Sequence, residues 1–203
     1  MNLLTRKKWD AAARGYDLLT RGTDQRWAQH KSHFFSSMQG KVLFLSAGTG
    51  LDFKFFPSQQ DITAIDISPK MVDLARQRAI SDYDGTIDIH EMDVHQMPFP
   101  DETFDQIYTA CTLCSIPNPV EGLIHLRRTL KPHGELHMFE HTASRWPPFN
   151  LILNMMTPLM SRFGPEMNRD TIANVRKAGF VIHRVENLYL DILKIISATR
   201  GKI

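Results

Sequence analysis

The sequence predicts an α/β domain: a mostly parallel sheet with helices on both faces and one antiparallel strand near the C-terminus. Three observations predict it. From Lys41 onward, short apolar or β-branched runs alternate with helix-like stretches, which is the sequence form of a parallel sheet covered by helices. The run Val42-Leu43-Phe44-Leu45 is apolar throughout, as a strand buried on both faces requires. Near the end, the strand-like runs 180–185 and 191–199 are joined by about five residues, too few for a parallel crossover, so they are expected to pair antiparallel.

Each element has its own local signal. The first strand ends in the turn Ser46-Ala47-Gly48-Thr49-Gly50. Asp61–Asp66 is a second β-branched run, and the Ser68-Pro69 that follows reads as an N-cap and then proline at the first helical position. Met71, Leu74, Ala75 and Arg78 continue that helix. Residues 87–92 alternate apolar and polar and end at Asp93; residues 104–109 supply the next strand after the turn at Pro98 and Pro100. Asn118-Pro119 repeats the capping signal, and Val120, Leu123, Leu126 and Leu130 give its helix an apolar face until Lys131-Pro132-His133-Gly134 stops it. A strand through Leu136, Met138 and Phe139 follows. Residues 142–169 carry apolar side chains too densely for a simple two-faced surface helix. Asp170 caps a short helix with Ile172 and Val175, closed by Gly179.

Composition narrows the class. A chain of 203 residues has room for one α/β core and a modest appendage, hence a single domain over 1–203. Hydrophobic residues at 42% and charged residues at 23% exclude a disordered, collagen-like or coiled-coil chain. A net charge of +2 is too small to make nucleic acid the expected partner. Cys111 and Cys114, three apart, cannot form a disulfide framework, so a reducing, cytoplasmic setting is expected. Arg6, Lys7 and Lys8 follow two leucines, and no apolar stretch of signal-peptide length comes after them, so no secretion signal is expected. The uncharged stretch 146–161, about 16 residues, is shorter than the ~20 of a bilayer-spanning helix and holds three prolines.

The candidate chemistry begins at the glycine turn. A strand running into Ala47-Gly48-Thr49-Gly50 lets a ligand approach the backbone, because residues without a β-carbon leave room for it. In open α/β sheets such ligands lie beyond the carboxyl ends of the strands, and an acid ending the second strand can take both ribose hydroxyls; Asp66 stands there. A dinucleotide fingerprint would need its third glycine at position 53, which is phenylalanine, and this argues against NAD or FAD. Asp93 beside Val94 offers a carboxylate and an apolar contact for an adenine ring.

These residues, with Tyr16-Asp17, Ile65-Asp66-Ile67-Ser68-Pro69-Lys70-Met71, Met97-Pro98-Phe99-Pro100-Asp101-Glu102-Thr103-Phe104-Asp105 and Leu130-Lys131-Pro132-His133-Gly134, resemble the class I S-adenosylmethionine-dependent methyltransferases. The nearest branches are the phosphatidylethanolamine N-methyltransferases, the thiol methyltransferases and the quinone C-methyltransferases. The resemblance implies a Rossmann-like fold and S-adenosyl-L-methionine as cofactor. It implies that Ala47, Gly48 and Gly50 pass under the methionine part, that Asp66 holds the ribose with Ile67 and Met71 beside the adenosine, and that Asp93 and Val94 meet the adenine. Ala110 and Cys111 would meet the amino-acid end, and Tyr16 would close over the site. Two positions depart from the family pattern: the usual acid is Phe44 here, and the first glycine is Ser46. The implied organisation is an N-terminal helical cap over 1–40, a cofactor-binding core over 41–141, a hydrophobic acceptor-site insertion over 142–169 and a C-terminal helix and strand pair over 170–203.

Methyl transfer from a sulfonium needs orientation, a dry cavity and electrostatics rather than a protein nucleophile or a metal. The sequence holds no nucleophile elbow and no His/Cys set at zinc spacing. Cys111-Thr112-Leu113-Cys114 ends a strand and has no second pair, so cavity lining is preferred to redox or metal chemistry. His141, at the end of the fifth strand, and Tyr16 are the candidate catalytic residues, as proton acceptor and as a cover over the acceptor. Their bland readings are a hydrogen-bonded strand-end histidine and a packing tyrosine.

Phe149, Leu151, Ile152, Leu153, Met155, Met156, Leu159, Met160 and Phe163 form a thioether-rich surface of the kind that adapts to greasy ligands, bracketed by Arg145 and Arg162; packing into the core is the alternative. Leu3, Leu4, Arg6, Lys7, Lys8 and Trp9 combine basic, aliphatic and aromatic residues as interfacial helices do, so peripheral membrane contact enters as an expectation. The expected acceptor is a hydrophobic small molecule or lipid, first the amine of phosphatidylethanolamine, then a quinone precursor or a thiol. A non-catalytic module that binds the cofactor is the reading of a different class.

Overall fold

The computed structural model describes residues 2–201, and for Asp24, Arg162 and Phe163 the backbone alone; the side chains of Arg162 and Phe163, counted above in the insertion, therefore lie outside what is described. The chain opens with helix α1 (Leu3–Phe35), whose Asn2 cap accepts the Thr5 amide through its side chain at 3.1 Å. Strands β1 (Lys41–Leu45) and β2 (Asp61–Asp66) follow, then α2 (Pro69–Asp82), β3 (Ile87–Glu91), β4 (Phe104–Ala110), α3 (Pro119–Thr129) and β5 (Leu130–His141). Next come α4 (Phe149–Phe163), α5 (Thr171–Lys177), β6 (Val181–Tyr189) and β7 (Leu193–Thr199).

The seven strands form one sheet in the order β3-β2-β1-β4-β5-β7-β6. The first five are mutually parallel, and β7 runs antiparallel to both β5 and β6. The mostly parallel sheet with one reversed strand near the end is thus as expected. The reversal of strand order falls between β1 and β4, so their carboxyl ends diverge and leave a crevice, the usual ligand position in such sheets.

Alternation along β1 divides the core. Phe44 joins Phe34, Phe35, Phe53, Phe56, Tyr108 and Phe139 on the side of α1 and α2. Leu43 and Leu45 join Ile107, Leu123, Leu126, Leu136 and Val175 on the side of α3 and α5. Phe44 meets Phe56 at 5.0 Å and Phe35 at 5.8 Å between ring centroids, edge to face, the arrangement that aromatic quadrupoles favour.

Two local expectations shift, and one alternative is set aside. Leu130, read as the last helical residue, opens β5 and pairs with Phe104, and the register breaks across the Lys131–Gly134 segment before pairing resumes at Glu135. Strand β6 runs on to Tyr189, whose ring meets Trp27 of α1 at 5.9 Å, and the turn to β7 is made by Leu190 and Asp191 in left-handed conformations. The insertion is not packed into the core: α4 is a surface helix that buries Leu153 yet leaves Met155 73% exposed, with Leu151, Ile152, Met156 and Leu159 also exposed. Among the described residues no helix is long and apolar enough to cross a membrane.

Candidate functional site

The turn after β1 is shaped by three left-handed residues, Ser46, Gly48 and Gly50. The two glycines do different work. A β-carbon on Gly50 would stand 2.8 Å from the Phe53 ring and 3.2 Å from the Ala75 backbone, so its bareness lets the turn sit on α2. A β-carbon on Gly48 would meet nothing within 4 Å; that side of the turn opens on the cleft. Ser46 keeps the left-handed backbone that a glycine takes in the family pattern, at a cost of about 1–2 kcal/mol.

Asp66 ends β2 under this turn. Its two oxygens accept the amides of Gly48 and Ser68, each at 2.9 Å. Burial raises its pKa above the ordinary carboxylate value, against the pull of those amides. Ser68 caps α2 through the Met71 amide and donates its hydroxyl to Asp10 of α1. Asp93 accepts the amide and ring nitrogen of His95 at 3.0 and 2.7 Å and the Asn2 amide at 2.9 Å. Burial pushes its pKa up, but these bonds outweigh it and the carboxyl titrates below its ordinary range.

After β4 the chain turns at Cys111, left-handed at φ 51, with its amide on the Phe139 carbonyl at 2.8 Å. Burial raises the pKa of the Cys111 thiol and of the Tyr16 hydroxyl well above their ordinary values, so both stay protonated near neutral pH. Helix α1 closes the cleft from above. Its Asp17 accepts the Thr49 hydroxyl at 2.5 Å and the Arg78 guanidinium at 2.6 Å, while Arg78 also donates to the Thr49 carbonyl at 2.6 Å.

One cleft collects Tyr16, Gly48, Asp66, Ile67 and Met71. Asp93, Val94, Ala110 and Cys111 line the same cleft. Ala47, Gly50 and His141, expected at the site, are not among the lining residues: Ala47 and Gly50 shape the turn from behind, and His141 stands at the end of β5 with its Nδ1 buried and without a hydrogen-bond partner among the described residues. Burial lowers the His141 pKa, which leaves the imidazole neutral near pH 7. Sequence reasoning missed Trp9, Ser46 and Ser115, which also line the cleft. Trp9 lies two helical turns before Tyr16 and meets its ring edge-on at 6.1 Å, a spacing legible once a continuous helix is assumed.

Comparison with known proteins decides the family. Residues 43–138 match the model of a methyltransferase domain. The chain is 30% identical over 171 residues to the demethylmenaquinone methyltransferase of Chlamydia muridarum, covering 76% of this chain and 71% of that protein. The chain belongs to the class I S-adenosylmethionine-dependent methyltransferases.

Within the class, this methyltransferase is 32% identical over 151 residues to a ubiquinone/menaquinone biosynthesis C-methyltransferase of Geotalea daltonii, covering 70% of this chain and 64% of that protein. It is 25% identical over 138 residues to the phosphatidylethanolamine N-methyltransferase of Cereibacter sphaeroides, covering 68% and 66%. It spans just under two thirds of the length of these two relatives. A methyltransferase of Haloferax volcanii, solved with the Trm112 activator, superposes with a TM-score of 0.74 at 16% identity over 98% of both chains; that likeness is one of fold.

The residues present fit the class cofactor, S-adenosyl-L-methionine. Carboxylates end β2 and β3 beside an open glycine edge, and Ile67, Met71 and Val94 supply apolar walls in the same cleft. Carboxylate acceptors for the ribose hydroxyls and the adenine amino group, with apolar walls for the ring, are what that cofactor requires.

Proposed function

We propose that this methyltransferase methylates an acceptor drawn from a lipid phase, in first place the amine of phosphatidylethanolamine and its partly methylated derivatives. The observation that carries the reading is the apolar face of α4 beside the cleft. Lys8 of α1 donates to the carbonyls of Ser161 and Gly164 at 2.6 and 2.8 Å, and the Trp9 ring, which lines the cleft, lies 3.5 Å from where a Gly164 β-carbon would stand. An acyl chain lying along Leu151, Met155 and Leu159 would therefore bring a headgroup to the cleft mouth. Leu3, Leu4, Leu18 and Leu19 of α1 are also exposed among basic residues, as in helices that lie on anionic membrane surfaces.

In this reading Asp66 holds the ribose hydroxyls, Asp93 and Val94 the adenine, and the Ala110–Cys111 backbone the amino-acid end, with Ala47 and Gly50 shaping the turn beneath. The bound cofactor supplies an electrophilic methyl group on a sulfonium. Tyr16 and Trp9 exclude water and orient the acceptor, and Tyr16 and Cys111, both protonated, act as hydrogen-bond donors rather than bases. His141, neutral near pH 7 but set back from the cleft lining, is the proposed acceptor, through an intervening water, of the proton that a methylated amine releases.

One neutral imidazole suits an amine, which reacts as its free base and gives up one proton. Methylation at a quinol ring carbon needs a hydroxyl ionised and a ring hydrogen removed. The quinone reading stands second, favoured by the quinone C-methyltransferases among the relatives. Incubation with methyl-labelled cofactor and a cell lipid extract tests both. Label in a phospholipid amine supports the first reading, label in a quinone ring or a thiol replaces it, and tight cofactor binding with no transfer to any lipid marks a non-catalytic module.

A further inference from the structure

The Cys111–Pro117 loop forms one wall of the cleft, and its first residue is held in a backbone conformation that a β-carbon disfavours by about 1–2 kcal/mol. Such a conformation persists only where its surroundings over-determine it. Two charged side chains hold the residues that follow Cys111, and neither is among the cleft-lining residues. Glu140, fully buried near the end of β5, accepts the Thr109 hydroxyl at 2.7 Å, the Thr112 amide at 3.0 Å on each oxygen and the Leu113 amide at 3.1 Å. Arg169, in the segment after α4, donates to the carbonyls of Leu113, at 2.9 Å, and Ile116. It also pairs with Glu166 at 2.6 Å, whose own amide bonds the Cys114 carbonyl at 2.8 Å.

We propose that Glu140 and Arg169 are positioning residues: the carboxylate gathers the amides and the guanidinium the carbonyls of the Cys111–Pro117 loop, so that its cleft face is set for the cofactor and follows the placement of α4. The inference rests on the cofactor reading above.

The charge on Glu140 does not serve stability. Burial pushes its pKa up to about 7, against the hydrogen bonds it accepts and the attraction of Arg169; the other titratable groups facing it are the thiols of Cys111 and Cys114. With the folded pKa above the ordinary value, the folded chain binds the proton more readily than the unfolded one, so stability falls as pH rises from the unfolded pKa through about 7. Protonation in turn places a hydroxyl donor against backbone donors and loosens the loop.

The test uses the full chain and S-adenosylhomocysteine, the demethylated form of the cofactor, with calorimetry and thermal melts at pH 6 and 8. Wild type is expected to bind several-fold more tightly at pH 8 than at pH 6. Glu140→Gln, near-isosteric and uncharged, is expected to bind about tenfold more weakly than wild type at pH 8 while its Tm is unchanged or raised, and to lose the pH dependence. Arg169→Lys, which keeps the charge but not the fork, is expected to weaken binding by a similar factor. Wild-type affinity in both variants, or losses that merely track a lower Tm, overturns the proposal. Should a variant not fold, amide exchange at Thr112 and Leu113 of the wild-type chain decides, since equal protection at both pH values after correction for intrinsic rates also overturns it. A wild-type chain that binds none of the probe sinks the cofactor reading itself, a separate outcome.

Discussion

The Asp66 carboxylate accepts the Gly48 amide at 2.9 Å, which joins the acid ending β2 to the glycine turn leaving β1. With its other oxygen on Ser68, the same side chain fixes the start of α2, so the proposed ribose ligand is also the group that sets the turn geometry. Asp66→Ala leaves two amides without their acceptor, each bond to a charged group contributing roughly 1.5–3 kcal/mol. The expected result is a Tm lower by several degrees and cofactor affinity lower by about a hundredfold or more, read by melting and calorimetry; unchanged affinity would remove Asp66 from the site.

The two glycines of the turn should separate stability from binding. Gly50→Ala forces a β-carbon onto the Phe53 ring in a left-handed conformation, and a loss of about 2–4 kcal/mol is expected in denaturant unfolding. Gly48→Ala meets no atom; it is expected to cost only about 1 kcal/mol while weakening cofactor binding more than Gly50→Ala does at matched stability. Equal effects on both quantities would contradict the assignment of Gly48 to the cleft.

The bonds among Asp17, Arg78 and Thr49 hold α1 over the turn. Arg78→Ala releases that clasp and is expected to speed amide exchange in the middle of α1 and to raise the cofactor off-rate about three- to tenfold, with a smaller effect on the on-rate. An unchanged off-rate would show that α1 does not gate release.

The exposed face of α4 carries the acceptor reading. Replacing Leu151, Met155 and Leu159 together by serine is expected to leave Tm and binding of S-adenosylhomocysteine unchanged, since all three side chains are exposed. Sedimentation with phosphatidylethanolamine–phosphatidylglycerol vesicles should fall by tenfold or more. Wild-type sedimentation of the triple variant would move the membrane contact elsewhere.

His141→Ala is expected to keep cofactor binding and to slow methyl transfer to an amine by at least tenfold, in the range of general base catalysis; wild-type turnover would leave His141 a structural residue. Its pKa lies below the ordinary imidazole value because of burial. The stability linked to it is therefore present above about pH 6.5 and is lost as pH falls through the folded value, a slope the alanine variant should flatten.

Much of this was legible in the chain because local signals and burial agreed. Ser68-Pro69 announced α2, the apolar run at Val42 announced a strand buried on both faces, and the short gap near residue 190 announced the reversed strand. Asp66, Asp93 and Cys111 reached one cleft because strand ends in a parallel sheet converge there. The misses have physical causes. Glycine spacing does not say which glycine faces a ligand, so Gly48 and Gly50 look alike until the Phe53 ring is placed. Alternation along β5 puts the Glu140 side chain on the face opposite Phe139, and no sequence signal tells that a glutamate between Phe139 and His141 gathers a loop. The density of apolar residues in 149–163 was read correctly, but whether that face meets the core or the outside depends on partners far away in sequence, among them Lys8 and Trp9.

The central claim is tested most directly by titrating the wild-type protein with S-adenosylhomocysteine in a calorimeter. The account predicts saturable one-to-one binding that Asp66→Ala weakens by about a hundredfold or more. No heat from the wild-type chain, or full binding by the Asp66→Ala variant, would contradict it.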